Sequence, residues 1–192
     1  MRYLTSALVA EGESDELFLE QVLFRQLNAL AFAAQDPFEV GTVLIAQCRT
    51  VMLTKDVQST CADLARFCDL VFVHHDDNER GKIVPLARSE TVGSRLVHLV
   101  PIRETEAWMI SDREALAAFR GSDCSQLPDA PAKVEQIVDP KAALRSALGR
   151  RPWTEVFRSI GLNVSLDRLA QVPAYRTFLD DLITALKELN FR

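Results

Sequence analysis

No stretch of this chain runs apolar for the ~20 residues that span a bilayer. A transmembrane helix is not expected. Its opening, Met1-Arg2-Tyr3-Leu4-Thr5-Ser6, passes after few apolar residues to Glu11 and Glu13. That is too short and too acidic for a secretory signal, so a cytoplasmic protein is expected. The four cysteines, Cys48, Cys61, Cys68 and Cys124, include no Cys-x-x-Cys pair. Their spacing argues against zinc and fits reduced thiols packed as small apolar residues. A basic excess is also missing. The net charge is −5, which argues against bulk nucleic-acid binding by the whole surface. Repeats and low-complexity tracts are absent as well.

What the chain does have is 192 residues, 48% of them hydrophobic, enough for an ordinary core in one domain with an appendage or in two small ones. Charge is unevenly spread. Lys141 to Arg192 holds nine Lys and Arg against five Asp and Glu, a balance of +4. The rest, thirteen against twenty-two, carries −9. An acidic first part and a more basic tail suit a metal site beside a surface that meets phosphates. They equally suit a solvated, charged helical surface.

Hydrophobic periodicity sets the expected fold. Tyr3 to Ala10 reads as a buried strand, Glu11-Gly12-Glu13 as a turn, Ser14 as an N-cap, and Asp15 to about Phe32 as a helix. Phe38 to Ala46 is a second strand, and Lys55 to Cys68 a second helix. Asp69 to His75 is a third, strongly apolar strand. Asp77 to Arg80 forms a polar turn before a short helix over Lys82 to Glu90. Arg95 to Ile102 is a fourth strand, with Pro101 marking an edge or a strand end. Near-continuous apolar strands alternating with helices predict an α/β fold with a mostly parallel four-stranded sheet flanked by helices. Ser111-Asp112-Arg113-Glu114 reads as a capping box that opens a helix. The proline-bearing stretch Ser122 to Pro140 reads as a surface connection. Short helices follow at 141–149, 153–160, 165–171 and 174–189. The expected division is an α/β domain over 1–120 and a helical C-terminal extension over 121–192, packed on it.

Three acidic clusters stand directly after predicted strands. In an open parallel sheet those strand ends share one rim, where ligands gather. Glu11 follows the first strand and precedes glycine, a place where a carboxylate has little structural purpose. Asp15 lies in the first helical turn, where the helix dipole also favours an acid. Asp76-Asp77-Asn78 follows the third strand. Alternation sends Asp76 and Asn78 one way and Asp77 the other, and the trio is also good turn chemistry. Arg103-Glu104-Thr105-Glu106-Ala107-Trp108 follows the fourth strand. Glu104 and Glu106 are candidates to complete a metal shell, and Arg103 to hold a phosphate. Converging carboxylates repel unless a proton or cation lies between them, and their oxygens suit magnesium or manganese. Of the two strand histidines, His75 is the better candidate ligand, although a hydrogen-bonded structural role is commoner. Trp108 and Met109 read as core. Lys82 is a candidate to steady developing negative charge, set against the plain role of a surface lysine. Arg145, Arg150 and Arg151, with Arg158 and Trp153, mix cations and an aromatic in a way that suits nucleic acid or a protein partner.

Glu11-Gly12-Glu13-Ser14-Asp15-Glu16 after one strand and His75-Asp76-Asp77-Asn78 after a later one resemble a Toprim domain. That is the catalytic fold of topoisomerases, bacterial primases and overcoming-lysogenization-defect nucleases. Arg103-Glu104-Thr105-Glu106-Ala107-Trp108 is similar to a small Toprim-like branch often encoded beside an ATPase. The resemblance covers about Tyr3 to Phe119. It implies a nuclease in which Glu11 and Asp76 hold Mg2+ or Mn2+, Glu11 and Asp15 help hold a second ion, and Asp77, Asn78, Glu104 or Glu106 complete the shells. It also implies a role in defence against foreign DNA with an ATPase partner. Asn78 stands where the family pattern has a second aspartate, which keeps open a catalytically degenerate module that binds nucleic acid or a partner as a scaffold. A receiver-like domain phosphorylated on Asp76 is a weaker rival, because Arg103 sits near the place where a lysine is wanted. Self-association is left open.

Overall fold

The computed structural model describes residues 2–49, 54–76 and 95–191. The expected turn at Asp77 to Arg80 and the helix over Lys82 to Glu90 lie outside the described residues.

Strands β1 (Tyr3–Val9), β2 (Glu39–Ile45), β3 (Leu70–His74) and β4 (Leu96–Leu99) form one sheet in the order β2-β1-β3-β4. Every pairing is parallel. The expected α/β fold is therefore present, and the sheet is wholly parallel. Alternation divides the strand residues between two apolar layers. Leu4, Leu8, Leu70 and Phe72 join the larger core cluster, whereas Val9, Val71 and Val73 join a smaller one with Val57, Cys61 and Ala65. Those last three belong to or directly follow α2 (Thr54–Leu64), which covers that face of the sheet. α1 (Glu13–Ala33) contributes Phe18, Leu19, Val22, Leu23 and Leu27 to the larger cluster on the opposite face. All four cysteines are free thiols, and burial pushes the Cys61 thiol up to about 12, which keeps it protonated.

β1 has β2 on one side and β3 on the other, so the direction of winding reverses between β1 and β3. Ligands of open α/β sheets gather at such a reversal, at the carboxyl ends of the two strands. The same adjacency places the turns after Val9 and His74 next to each other.

After β4 come α3 (Glu106–Ile110), α4 (Arg113–Ala117), a 3-10 turn at Pro131–Gln136, α5 (Pro140–Leu148), α6 (Trp153–Asn163), α7 (Leu166–Leu169) and α8 (Pro173–Glu188). The stretch expected to be a plain surface connection carries the 3-10 turn, and its Val134 and Leu127 enter the core. Residues on both sides of position 121 share one core cluster, from Leu4 and Phe72 to Ile160, Tyr175 and Leu182. The helical extension thus completes the main core. α6 crosses α1 closely at Gly161, where a Cβ would stand 2.6 Å from the Phe18 carbonyl oxygen. The Arg25 guanidinium donates to the Gly161 carbonyl at 2.8 Å across the same crossing.

Two caps differ from the sequence reading. α1 starts at Glu13 with extended Gly12 as its N-cap, and Ser14 lies inside the first turn. Glu13, Asp15 and Glu16 offset the positive helix end instead. For α4 the cap is Asp112, not Ser111: its carboxylate accepts from the amides of Glu114 and Ala115, and also from Ser165 at 2.8 Å. One carboxylate can serve several donors where a single serine hydroxyl serves fewer. Pro101 follows the end of β4, itself an edge strand, as expected. Among the described residues no helix is long and apolar enough to cross a membrane.

Candidate active site

Strand register brings the acidic turns together. Val9 pairs with Val73, and His74 with Leu99. Glu11 and Asp76 each follow their strand by two residues, and Arg103 and Glu104 follow the end of β4 by four and five. All therefore emerge on one rim. The Asp76 amide donates to Glu11 Oε2 at 3.2 Å, so the Glu11 side chain spans the β1–β3 crevice. Gly12 leaves room for this turn: a Cβ there would sit 3.3 Å from the Asp15 carboxylate.

Asp76 is half-buried, and its carboxyl is pushed up to about 8. Burial is the main cause, followed by the negative charges of Glu11, Asp15, Glu104 and Glu106. Four other acids singled out from the sequence thus act on Asp76 at this rim, and near neutral pH Asp76 holds a proton.

Beneath them lies His74, fully buried. The Glu11 amide donates to its Nδ1 at 3.4 Å, which leaves the ring proton on Nε2, 2.8 Å from the Thr105 hydroxyl. Burial pushes the imidazole below its ordinary value, against the pull of Asp15 and Glu11. Its 4.0 Å approach to the Asp76 carboxylate is consequently a contact between neutral groups and not an ion pair. His74 ties the β1 turn to the start of α3. The sequence reading preferred His75, but that ring turns away and meets His98 edge-on, with centroids 5.6 Å apart. Burial, with His75 adding to it, pushes His98 down to about 4.

Glu106 opens α3 and is 4% exposed. Burial pushes its carboxyl upward, and the Lys141 ammonium works against that rise. Lys141 Nζ stands 3.6 Å from Glu106 Oε1, while the Lys141 amide donates to Glu104 Oε2 at 3.2 Å. The first turn of α5 therefore contacts both acids that follow β4. A cleft of about 750 Å³ opens here, lined by Asp76, Arg103, Glu104, Lys141 and Arg145 among others. Arg145 is one helical turn beyond Lys141, on the same side of α5. Arg103 has a left-handed backbone, φ 71°, and is exposed.

The other basic candidates lie apart from this cleft. Arg151 is committed to structure: it donates to the carbonyls of Leu148 and Arg120 and lies 5.5 Å over the Phe119 ring. Arg150 is exposed and is not among the residues that line the cleft. Arg158 pairs with Glu20 at 3.9 Å. Asp77, Asn78 and Lys82 lie outside the described residues. Lys141, His74 and Thr105 were not singled out from the sequence as site residues. His74 carried a signal, its position at the end of the apolar run. Lys141 carried none, because tertiary packing alone brings it to Glu106.

Among the described residues no group of three or more His, Cys, Asp and Glu side chains is arranged to hold a metal ion. The donor chemistry nevertheless fits a hard divalent cation. The donors are carboxylate oxygens, four of them raise Asp76 in addition to its burial, and among the described residues buried Glu106 Oε1 has no hydrogen-bond partner. Compared with known proteins, the chain matches no protein-family model, no curated protein and no solved structure.

Proposed function

We propose that this chain is a Mg2+- or Mn2+-dependent nuclease of Toprim type that cleaves phosphodiester bonds in DNA or RNA. The observation that carries this reading is the Glu11–Asp76 contact at the sheet's reversal point, with Asp76 driven upward by burial and then by four neighbouring acids. Glu11 and Asp76 would hold the ion. Asp15, Glu104 and Glu106 would complete its surroundings, and the family resemblance adds Asp77 and Asn78. When bound, such an ion supplies Lewis acidity and a more acidic water. The chain's own residues do the rest. Arg103 and Arg145 line the cleft beside Asp76, where they can bind the phosphates flanking the scissile bond. Neutral His74 holds the Glu11 turn and Thr105 in fixed relation. The family resemblance alone supports a DNA substrate, a defence role and an ATPase partner.

A second reading is a degenerate Toprim module that serves as a scaffold. Asn78, which stands where the family pattern has a second aspartate, favours it. A cleavage assay with Mn2+ on supercoiled and linear DNA separates the two. The nuclease reading expects cleavage by the wild type and loss to background for Glu11→Ala and Asp76→Ala. Equal cleavage by all three would overturn it. No cleavage by any of them would put the scaffold ahead.

A further inference from the structure

Lys141 is placed unlike the other cations of the cleft. Its backbone is fixed, since its amide is bonded to Glu104 Oε2 at 3.2 Å. Its side chain is 46% exposed and rests near a carboxylate that is only 5% exposed. The separation of 3.6 Å is enough to offset charge but too long for a hydrogen bond, and among the described residues no other group gives Glu106 Oε1 such a bond. The pair is thus loose on the lysine side and unsatisfied on the glutamate side. A lysine stem is long and flexible, so the ammonium can move while α5 stays in place. The same lysine lines the cleft, with Arg145 one turn away and Arg103 on the turn after β4.

We propose that Lys141 is a resident counterion for Glu106 that an incoming divalent cation displaces, and that the displaced ammonium then takes up a substrate phosphate in the cleft. This rests on the metal-dependent reading above. A divalent ion approaches carboxylate oxygen to about 2.1 Å and carries twice the charge of an ammonium. It therefore outcompetes a partner held at 3.6 Å and repels it. Released toward the cleft, Lys141 adds to the two arginines, so the acid cluster is loaded before the phosphate-binding side is complete.

Removing the competitor should tighten ion binding, which a merely structural lysine would not do. In calorimetric titration of the full chain with Mn2+, Lys141→Met should lower Kd about fivefold, the scale of a half-exposed ion pair. Lys141→Arg, which keeps the charge, should stay within about twofold of wild type. In fluorescence anisotropy with a labelled DNA oligonucleotide, Ca2+ should raise wild-type affinity and raise that of Lys141→Met clearly less. An unchanged or weaker Mn2+ Kd in Lys141→Met, alongside loss of binding in Glu11→Gln, would overturn the displacement while leaving the metal reading intact. Tighter Mn2+ binding with an undiminished Ca2+ effect on DNA would overturn the transfer to phosphate. Absence of Mn2+ binding in the wild type would remove both the inference and the reading beneath it.

Discussion

Metal-free protein carrying Asp76→Asn should melt above the wild type at pH 8, and the gap should narrow steadily toward acid pH. The Asp76 carboxyl is raised from 3.8 to about 8 in the folded chain, first by burial and then by Glu11, Asp15, Glu104 and Glu106. Between those two values the folded chain keeps a proton that the unfolded chain has released. Wild-type stability therefore falls as pH rises across this window and levels off above about 8. Asparagine cannot ionise and escapes the penalty. Allowing for solvent and relaxation around a partly exposed group, the advantage at pH 8 should be about 2 kcal/mol, or roughly 5 °C. His98 acts in the opposite sense. Its imidazole is lowered from 6.5 to about 4, so it costs stability as pH falls through that range. The interval from 6.5 to 8 thus belongs to Asp76 alone of these two groups. Thermal melts in EDTA from pH 5 to 9 test this. Parallel curves for the two proteins would mean that neither burial nor its neighbours raise the Asp76 carboxyl. Added Mg2+ should raise the wild-type melt at pH 8 and leave Asp76→Asn nearly unmoved, because the cation relieves a repulsion that the variant lacks.

Trp108→Ala should destabilise the chain by about 3–5 kcal/mol, roughly a 10 °C fall in melting temperature. Trp108 is fully buried in α3, two residues beyond Glu106. Its ring meets Tyr175 edge-on at 5.1 Å and lies 6.5 Å from Phe178, both on α8. Tyr175 in turn donates to Gln26 of α1 at 3.0 Å. The indole therefore links the segment bearing Thr105 and Glu106 to helices from both ends of the chain. Among the described residues its Nε1 has no hydrogen-bond partner, so Trp108→Phe forfeits packing but no bond and should cost less than half as much. Chemical denaturation of the three proteins measures this. Equal losses for Phe and Ala would mean that the indole nitrogen, and not the ring's bulk, supplies the stability.

The local grammar of the sheet was legible in the residues. Apolar runs ending in Glu11, Asp76 and Glu104 marked strands with acids at one rim, and parallel pairing followed from their lack of alternation. Trp108 and Met109 read as core and are fully buried. Strand order was not legible. Nothing local in Val9 or Val73 says that β1 and β3 are neighbours, yet that adjacency is what sets Glu11 against Asp76. Cap identity was ambiguous for a similar reason. Ser111 and Asp112 are both good caps, and Ser165, fifty-three positions further on, helps fix Asp112 in that role. The choice between His74 and His75 turned on which way β3 faces. The role of Lys141 was hidden because its partners, Glu104 and Glu106, belong to another part of the chain. Arg151 shows the converse: an arginine in a basic cluster whose donors are taken up by the carbonyls of Leu148 and Arg120.

The central claim is that Glu11 and Asp76 grip one divalent ion between the ends of β1 and β3. The most direct measurement is titration of Mn2+ into wild type, Glu11→Gln and Asp76→Asn while the electron paramagnetic resonance signal of the free ion is followed. The account predicts that wild type quenches the signal stoichiometrically and that each variant leaves most of the ion free. Quenching of equal strength by all three proteins would contradict it.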